Sequence, residues 1–156
     1  LREQGMCLFV QEIESVGASQ ILPLLGGYSC PIVFSMAIFR PFPGEVLEGV
    51  ISASVADGLC VQYGGWFSDI IVPKIQMNIR TFFLNGQWVW QFDSGETQQS
   101  FPLKVGASIR VRVVKIEYNS HTSGVAQNSD APRSLSPMRI IAAINEDGLG
   151  LVDWWD

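Results

Sequence analysis

The sequence predicts a mainly β protein that breaks near residue 40, and three observations carry that prediction. Apolar residues recur at alternate positions in several short runs. Glycine-bearing turn signals, Asp57-Gly58, Gly64-Gly65 and Asn85-Gly86, punctuate those runs, and two prolines stand at positions 41 and 43.

Residues 6–14 alternate imperfectly, with Cys7, Phe9 and Ile13 on one face and Leu8 and Val10 on the other. Apolar groups on both sides predict a strand inside a sheet covered on both faces. Residues 16–19 read as a turn, 20–22 as a short strand, and 23–29, with Gly26-Gly27, as a tight reversal. Over 32–39 the pattern is cleaner, since Ile32, Phe34, Met36 and Ile38 share one face. Arg40-Pro41-Phe42-Pro43-Gly44 ends this run, because each proline fixes φ and removes a donor that a central ladder needs. Phe39 and Phe42, on either side of Pro41, predict a stiff and packed junction between two domains, 1–39 and 40–156.

After the break, Leu47, Ile51, Ala53 and Val55 point one way while Glu48, Ser52 and Ser54 point the other. Asp57-Gly58 turns the chain, Leu59, Val61 and Tyr63 face inward on the return, and residues 67–72 form a third strand closed by Pro73. The result is a tight antiparallel meander. Residues 75–83 fit either a helical stripe or two β edges, whereas Asn85-Gly86 followed by Trp88, Trp90 and Phe92 is a hairpin. Residues 93–100 read as polar turn material. Ile109, Val111 and Val113 alternate with Arg110 and Arg112 until the apolar side moves to Val114, Ile116 and Tyr118. That change of phase predicts a bulge that carries Lys115 across to the other side of its strand. Residues 119–137 contain five serines and two prolines in nineteen positions, too little apolar surface to offset ordering, so a mobile loop is expected. Residues 138–144 are the last strand, and the final Trp154-Trp155 pair needs a groove from its own barrel or from a partner.

Composition narrows the function classes. With 47% hydrophobic residues in 156, the chain can bury a core. No run approaches the roughly 18 uninterrupted apolar residues of a membrane span. Three widely spaced cysteines favour a reducing compartment over a disulfide framework, and a single histidine, His121, offers no Cys/His metal set. Because the first residue is Leu and not Met, the sequence is expected to be part of a longer polypeptide. Residues 1–73 carry two basic and seven acidic side chains, residues 74–115 six and two, and residues 116–156 two and six, which sums to the net −5. The basic middle focuses positive field if one face collects it, and is otherwise a set of ordinary solvated residues.

No catalytic constellation emerges. Asp57, Asp69 and Asp93 are isolated beside turns, where a carboxylate accepts backbone hydrogen bonds, and nothing pairs two carboxylates at a working separation. No nucleophile has a base beside it, and neither a dinucleotide fingerprint nor a phosphate loop is present. A binding module remains. Small β barrels hold single-stranded nucleic acid by stacking bases on aromatics beside a basic groove. The aromatics in question are Trp66, Phe67, Trp88 and Trp90, although Trp88, Trp90 and Phe92 together read more naturally as one buried hairpin face.

In order and spacing, residues 33–44 (VFSMAIFRPFPG), Gly44-Glu45-Val46-Leu47, Asp57-Gly58-Leu59-Cys60-Val61, residues 67–73 (FSDIIVP), Trp88-Val89-Trp90, residues 109–113 (IRVRV) and the terminal GLGLVDWW resemble the larger stalk subunit of nuclear RNA polymerases, the polymerase III form in particular. The resemblance implies a partial α+β tip domain that docks on the polymerase, followed by an antiparallel OB-type barrel that faces nucleic acid, with no active site and no cofactor. It implies a smaller helical stalk subunit, polymerase core subunits and RNA as partners, a nuclear location, a role in initiation, and an N-terminal segment ahead of Leu1.

RNA-contacting candidates are then Trp66, Lys74, Arg80, Lys104, Arg110, Arg112 and Lys115. Phe39, Arg40, Pro41, Phe42 and Pro43 become the inter-domain junction, and Leu24, Gly26, Gly27, Trp154 and Trp155 the contacts to partner or core. Three positions depart from the family. Leu24 replaces the first glycine of a Pro-Gly-x-Gly turn, Ser68-Asp69 carries one acid fewer than its counterpart, and Cys60 stands where RNA-binding relatives of the barrel place an aromatic. RNA contact is accordingly expected to rest more on phosphate charge than on stacking. The alternatives are a free-standing single-stranded RNA-binding barrel protein and the equivalent stalk subunit of another polymerase.

Overall fold

The computed structural model describes residues 5–23, 26–93, 98–118 and 138–155. Leu24 and the segment 119–137, expected to be a mobile loop, lie outside the described residues. The chain divides into two compact units, residues 1–40 and 41–156.

The first unit is built of β1 (Met6–Val16), β2 (Gln20–Leu22), β3 (Gly27–Ser29) and β4 (Ile32–Phe39). β1 pairs antiparallel with β4, and β2 with β3. The β1–β4 register slips between Cys7 and Phe9, between Val10 and Glu12, and between Ile13 and Ser15. Each slip resets the pleat, which is why the apolar residues of β1 do not keep to one face. The expected burial on both faces does not occur among the described residues: Phe9 and Ile13 are each 59% exposed, because no second layer there covers the two-stranded ribbon.

In the second unit the chain enters through a turn in which Glu45 N–H donates to the Phe42 carbonyl at 3.1 Å. Pro43 and Gly44, with Gly44 at φ +92, occupy the two central positions that proline and glycine favour in a type II turn. The ring of Phe42 is 60% exposed. Its backbone is what the turn holds, with Phe42 N–H donating to the Glu45 carboxylate at 3.1 Å.

Five strands close the barrel: β5 (Val46–Val55), β6 (Gly58–Tyr63), β7 (Phe67–Pro73), β11 (Ser108–Tyr118) and β12 (Met138–Ala143), the intervening β8 (Thr81–Leu84), β9 (Gln87–Asp93) and β10 (Gln98–Leu103) forming a separate three-stranded sheet. Around the barrel the order is β5, β6, β7, β12, β11 and back to β5, with every pairing antiparallel except β7–β12. This is the OB-type barrel; closure leaves its strands no free edge. The short β13 (Gly150–Leu151) continues the sheet beside the start of β11. Leu59, Val61, Ile70, Val72, Ile109, Val111, Ile140 and Ala142 are fully buried and fill the interior. Among the described residues the only helical turns are two 3-10 turns, Lys74–Gln76 and Val152–Trp154.

Several local expectations meet the structure directly. Asn85 (φ 51) and Gly86 (φ 82) form the hairpin turn, both in the left-handed region that a two-residue loop demands. The bulge in β11 lies between Val113 and Lys115, and Lys115 is turned outward with its side chain 67% exposed. Others are corrected. Val55 points out at 48% exposure because a second bulge, between Ile51 and Ala53, reverses the phase of β5; Ser52 Oγ donates to the Cys60 carbonyl there at 3.1 Å. The polar Gln98-Gln99-Ser100 segment is strand and not turn, since β10 needs only backbone groups to pair with β9 at the sheet's edge. Asp69 lies within β7 and meets the Arg139 guanidinium of the neighbouring β12 at 3.2 Å.

Trp88 joins the extra sheet to the barrel. Its ring is 1% exposed and sits 5.2 Å from Phe83, its cross-strand neighbour. The indole N–H donates to the carbonyls of Val55 at 2.8 Å and Gly58 at 3.2 Å, at the β5–β6 hairpin. Gly58 is needed there for space as much as for turning, since a Cβ would collide with the Val72 carbonyl on β7.

Candidate nucleic-acid interface

On the outer wall of the barrel, β5, β6 and the start of β11 form a shallow groove of about 290 Å³. Glu48, Gly49, Val50, Gln62, Gly64, Gly65 and Ser108 line it. Three of these are glycines, so a bound chain can approach the backbone closely. Gly49 also has no room for more, as a Cβ would stand 2.6 Å from the Gln62 carbonyl oxygen. Gln62 Nε2 donates to the Gly65 carbonyl at 2.9 Å and holds the bend in shape.

Trp66 stands at the rim of this groove. It follows the bend directly, its ring is 47% exposed, and edge contacts to Tyr63 and Phe67, each at 6.0 Å, fix its orientation. The bend has to be glycine: Gly64 is left-handed at φ +59, and a Cβ on it would lie 2.6 Å from the Trp66 indole nitrogen. Phe67 is 3% exposed and Trp88 1%, so neither can serve as a platform for a base, and Trp90 is occupied by a stack with Trp154 at 4.8 Å.

The six basic candidates separate into two sets. Arg110 and Arg112 share the outer face of β11, and the bulge adds Lys115, yet each is paired with a carboxylate. Arg110 Nε meets Glu48 at 3.3 Å, Arg112 pairs with Glu146, and Lys115 Nζ meets Glu117 at 2.8 Å. Lys74, Arg80 and Lys104 are exposed and have no ion pair among the described residues. They are dispersed: Lys74 opens the 3-10 turn beside Asp57, Arg80 precedes β8, and Lys104 opens the turn before β11. Trp66 and Lys74 flank opposite ends of β7, so they are separated by roughly 23 Å of strand. Only Trp66 and Arg110 belong to the neighbourhood of the groove. Sequence periodicity missed Gln62 and Ser108, and took Gly64-Gly65 only as a bend; nothing in a single sequence records that Glu48 lies opposite Arg110 across two strands.

Lys115 acts on its partner's titration. A hydrogen bond from Lys115, then its charge, and more weakly the charge of Arg139, hold the Glu117 carboxyl below its ordinary 4.5, against a small opposing effect of burial. A depressed carboxylate contributes stability above its unfolded pKa and loses it as pH falls through the folded value. The stability difference between the wild type and Glu117→Gln is therefore expected at neutral pH and should vanish in acid, below pH 4.5. Both groups are solvated, so the difference is small; equal stabilities at every pH in urea titrations would show the pair to be inert.

Comparison with known proteins decides the family. The model of the family described as RNA polymerase III subunit Rpc25 matches residues 45–155. The chain belongs to that family. It is similar to DNA-directed RNA polymerase III subunit RPC8 of Bos taurus, 26% identical over 160 residues, covering 97% of this chain and 78% of the relative. The subunit of the same name from Saccharomyces cerevisiae is 25% identical over 173 residues, covering 97% and 80%. That from Schizosaccharomyces pombe is 27% identical over 162 residues, covering 97% and 79%. The resemblance noted in the sequence is thus borne out, and membership of the Rpc25 family makes the chain a non-catalytic stalk subunit in RNA polymerase III transcription. Among the described residues no group of three or more His, Cys, Asp or Glu side chains could hold a metal ion.

Proposed function

We propose that this stalk subunit contacts emerging RNA along the β5–β6–β11 groove of its barrel while its first unit holds it to the polymerase. The observation that carries the RNA contact is the groove itself: an open, glycine-lined channel with a half-exposed indole fixed at its rim. It supplies the stacking half of the arrangement by which small barrels take single strands, while the basic half is reduced to Arg110, itself paired with Glu48. Because Arg110, Arg112 and Lys115 are each shared with a carboxylate, stacking on Trp66 carries more of the affinity than phosphate charge does. Binding is then moderate, sequence-poor and only partly salt-sensitive.

The exposed apolar ribbon of the first unit, with Phe9, Ile13 and Val16 at 59%, 59% and 63% exposure, supports docking on a partner. Polymerase core subunits and a smaller helical stalk subunit are the partners in this reading, with Gly26 and Gly27 at the contact and the Arg40–Pro43 segment as the junction between the docking unit and the barrel. Trp154 is packed on its own unit, which leaves Trp155, 48% exposed, as the terminal group available to a partner. The assembled enzyme places the subunit in the nucleus and in promoter-directed initiation.

Affinity purification of the full-length tagged subunit tests the assembly: polymerase III core subunits and one constant small helical partner are expected, and their absence would leave the free-standing RNA-binding barrel as the better account. For the RNA contact, Arg110, Arg112 and Lys115 are changed together to glutamine and affinity for single-stranded RNA is followed against salt. Each residue that reaches a phosphate should reduce the slope of log K against log salt by about 0.7. An unchanged slope removes all three from the interface.

A further inference from the structure

A second concavity lies in the barrel unit, sharing no lining residue with the groove. It is a partly open hollow of about 90 Å³, and Trp90, Trp154, Trp155 and Leu149 form its apolar wall while Glu146 and Asp147 stand at its margin. We propose that this pocket receives a basic side chain, lysine or arginine, from a protein partner.

The wall is rigid and aromatic. Trp90 and Trp154 stack at 4.8 Å with their planes 39° apart, and Phe101 backs both, at 5.5 and 6.1 Å. Gly150, left-handed at φ +98, gives Trp154 its seat, since a Cβ on it would collide with the indole. Trp155 does not swing freely: its indole N–H donates to the Leu149 carbonyl at 3.2 Å while the ring stays 48% exposed. Indole faces held in this way attract a cation through their quadrupole, and the attraction grows when the cation leaves water.

Charge selects the occupant. Arg112 is paired with Glu146 and offsets it, whereas Asp147 has no ion pair among the described residues and leaves the margin net negative. A phosphate polymer is repelled by that carboxylate, while an ammonium or guanidinium gains both the indole face and a counter-charge. This pocket therefore complements the RNA groove: one surface for nucleic acid, one for protein.

The test uses the full-length subunit and follows the indole N–H resonances of Trp154 and Trp155 during titration. The probes are the Nα-acetyl amides of lysine, of arginine and of norleucine, the last having an apolar stem without the charge. Lysine and arginine amides should saturate the shifts, with norleucine amide about 5- to 30-fold weaker. Asp147→Asn should bring the charged probes toward the norleucine value and leave norleucine unchanged, and Asp147→Glu should restore the difference. Equal affinity of norleucine and lysine amides, or stronger shifts from a uridine oligonucleotide than from either cation, overturns the proposal.

Discussion

Replacing Trp88 with alanine should cost the barrel unit about 3–5 kcal/mol, the range seen for large buried aromatics, and should be the most damaging single change to a described side chain. The reason is positional. Trp88 is, with Leu103, fully buried in the extra sheet; it packs on Phe83, and its N–H is shared between the carbonyls of Val55 and Gly58. Alanine leaves a cavity where that sheet meets the barrel, and leaves two hairpin carbonyls without this donor. Trp88→Phe separates the contributions. It keeps most of the volume, removes the hydrogen bonds and leaves only a small cavity from the lost second ring, so it should cost about 1–3 kcal/mol. Urea denaturation followed by far-UV circular dichroism measures both variants. A loss under about 1 kcal/mol for Trp88→Ala would mean that the β8–β10 sheet is not anchored through this residue.

Trp66→Ala should weaken single-stranded RNA binding by about 1–3 kcal/mol, or roughly 5- to 150-fold, with the salt slope unchanged. Stacking is not ionic, so the loss has a different signature from that of the arginine and lysine changes, which act on the slope. Trp66→Phe keeps a stacking face and should recover a large part of the affinity. Because the ring is half-exposed and meets Tyr63 and Phe67 edge-on, the fold should tolerate either change. Wild-type affinity in Trp66→Ala would move the RNA path off the groove.

These two tryptophans also show how far a sequence can be read. Both occupy segments with clear β signals, and the hairpin at Asn85-Gly86 correctly placed Trp88 on an inward face. The long β11 was legible down to its bulge, because a change of apolar phase is a local event that one strand records by itself. In β5 the same device went unseen. Ala53 and Val55 are small and tolerant of either face, so the slip at Ser52 leaves no apolar residue visibly out of place. β10 was taken for a turn since Gln98, Gln99 and Ser100 carry no β signal in their side chains; their strand is made by backbone pairing to β9. The candidate site was half legible. Trp66 was found from its diglycine bend, whereas the groove beside it exists only because β5, β6 and β11 become neighbours.

Alternation, glycine turns and the two prolines were enough to determine a mainly β chain broken near residue 40, and the ordered motifs were enough to determine its family. Those properties depend on residues close in sequence or on their order, which the chain states directly. Tertiary structure alone decided which charges are available and which aromatics are exposed. Arg110 and Glu48 are far apart in sequence and become an ion pair through strand register, and with Arg112 and Lys115 also paired, half of the basic segment's cations are offset by acids that lie outside it. In the same way Trp90 and Trp154 meet only when the terminus folds back on β9, and that contact turns two indoles from candidate stacking platforms into the wall of a pocket. Long-range pairing sets both outcomes, and a single sequence carries no local mark of which distant residue will stand opposite.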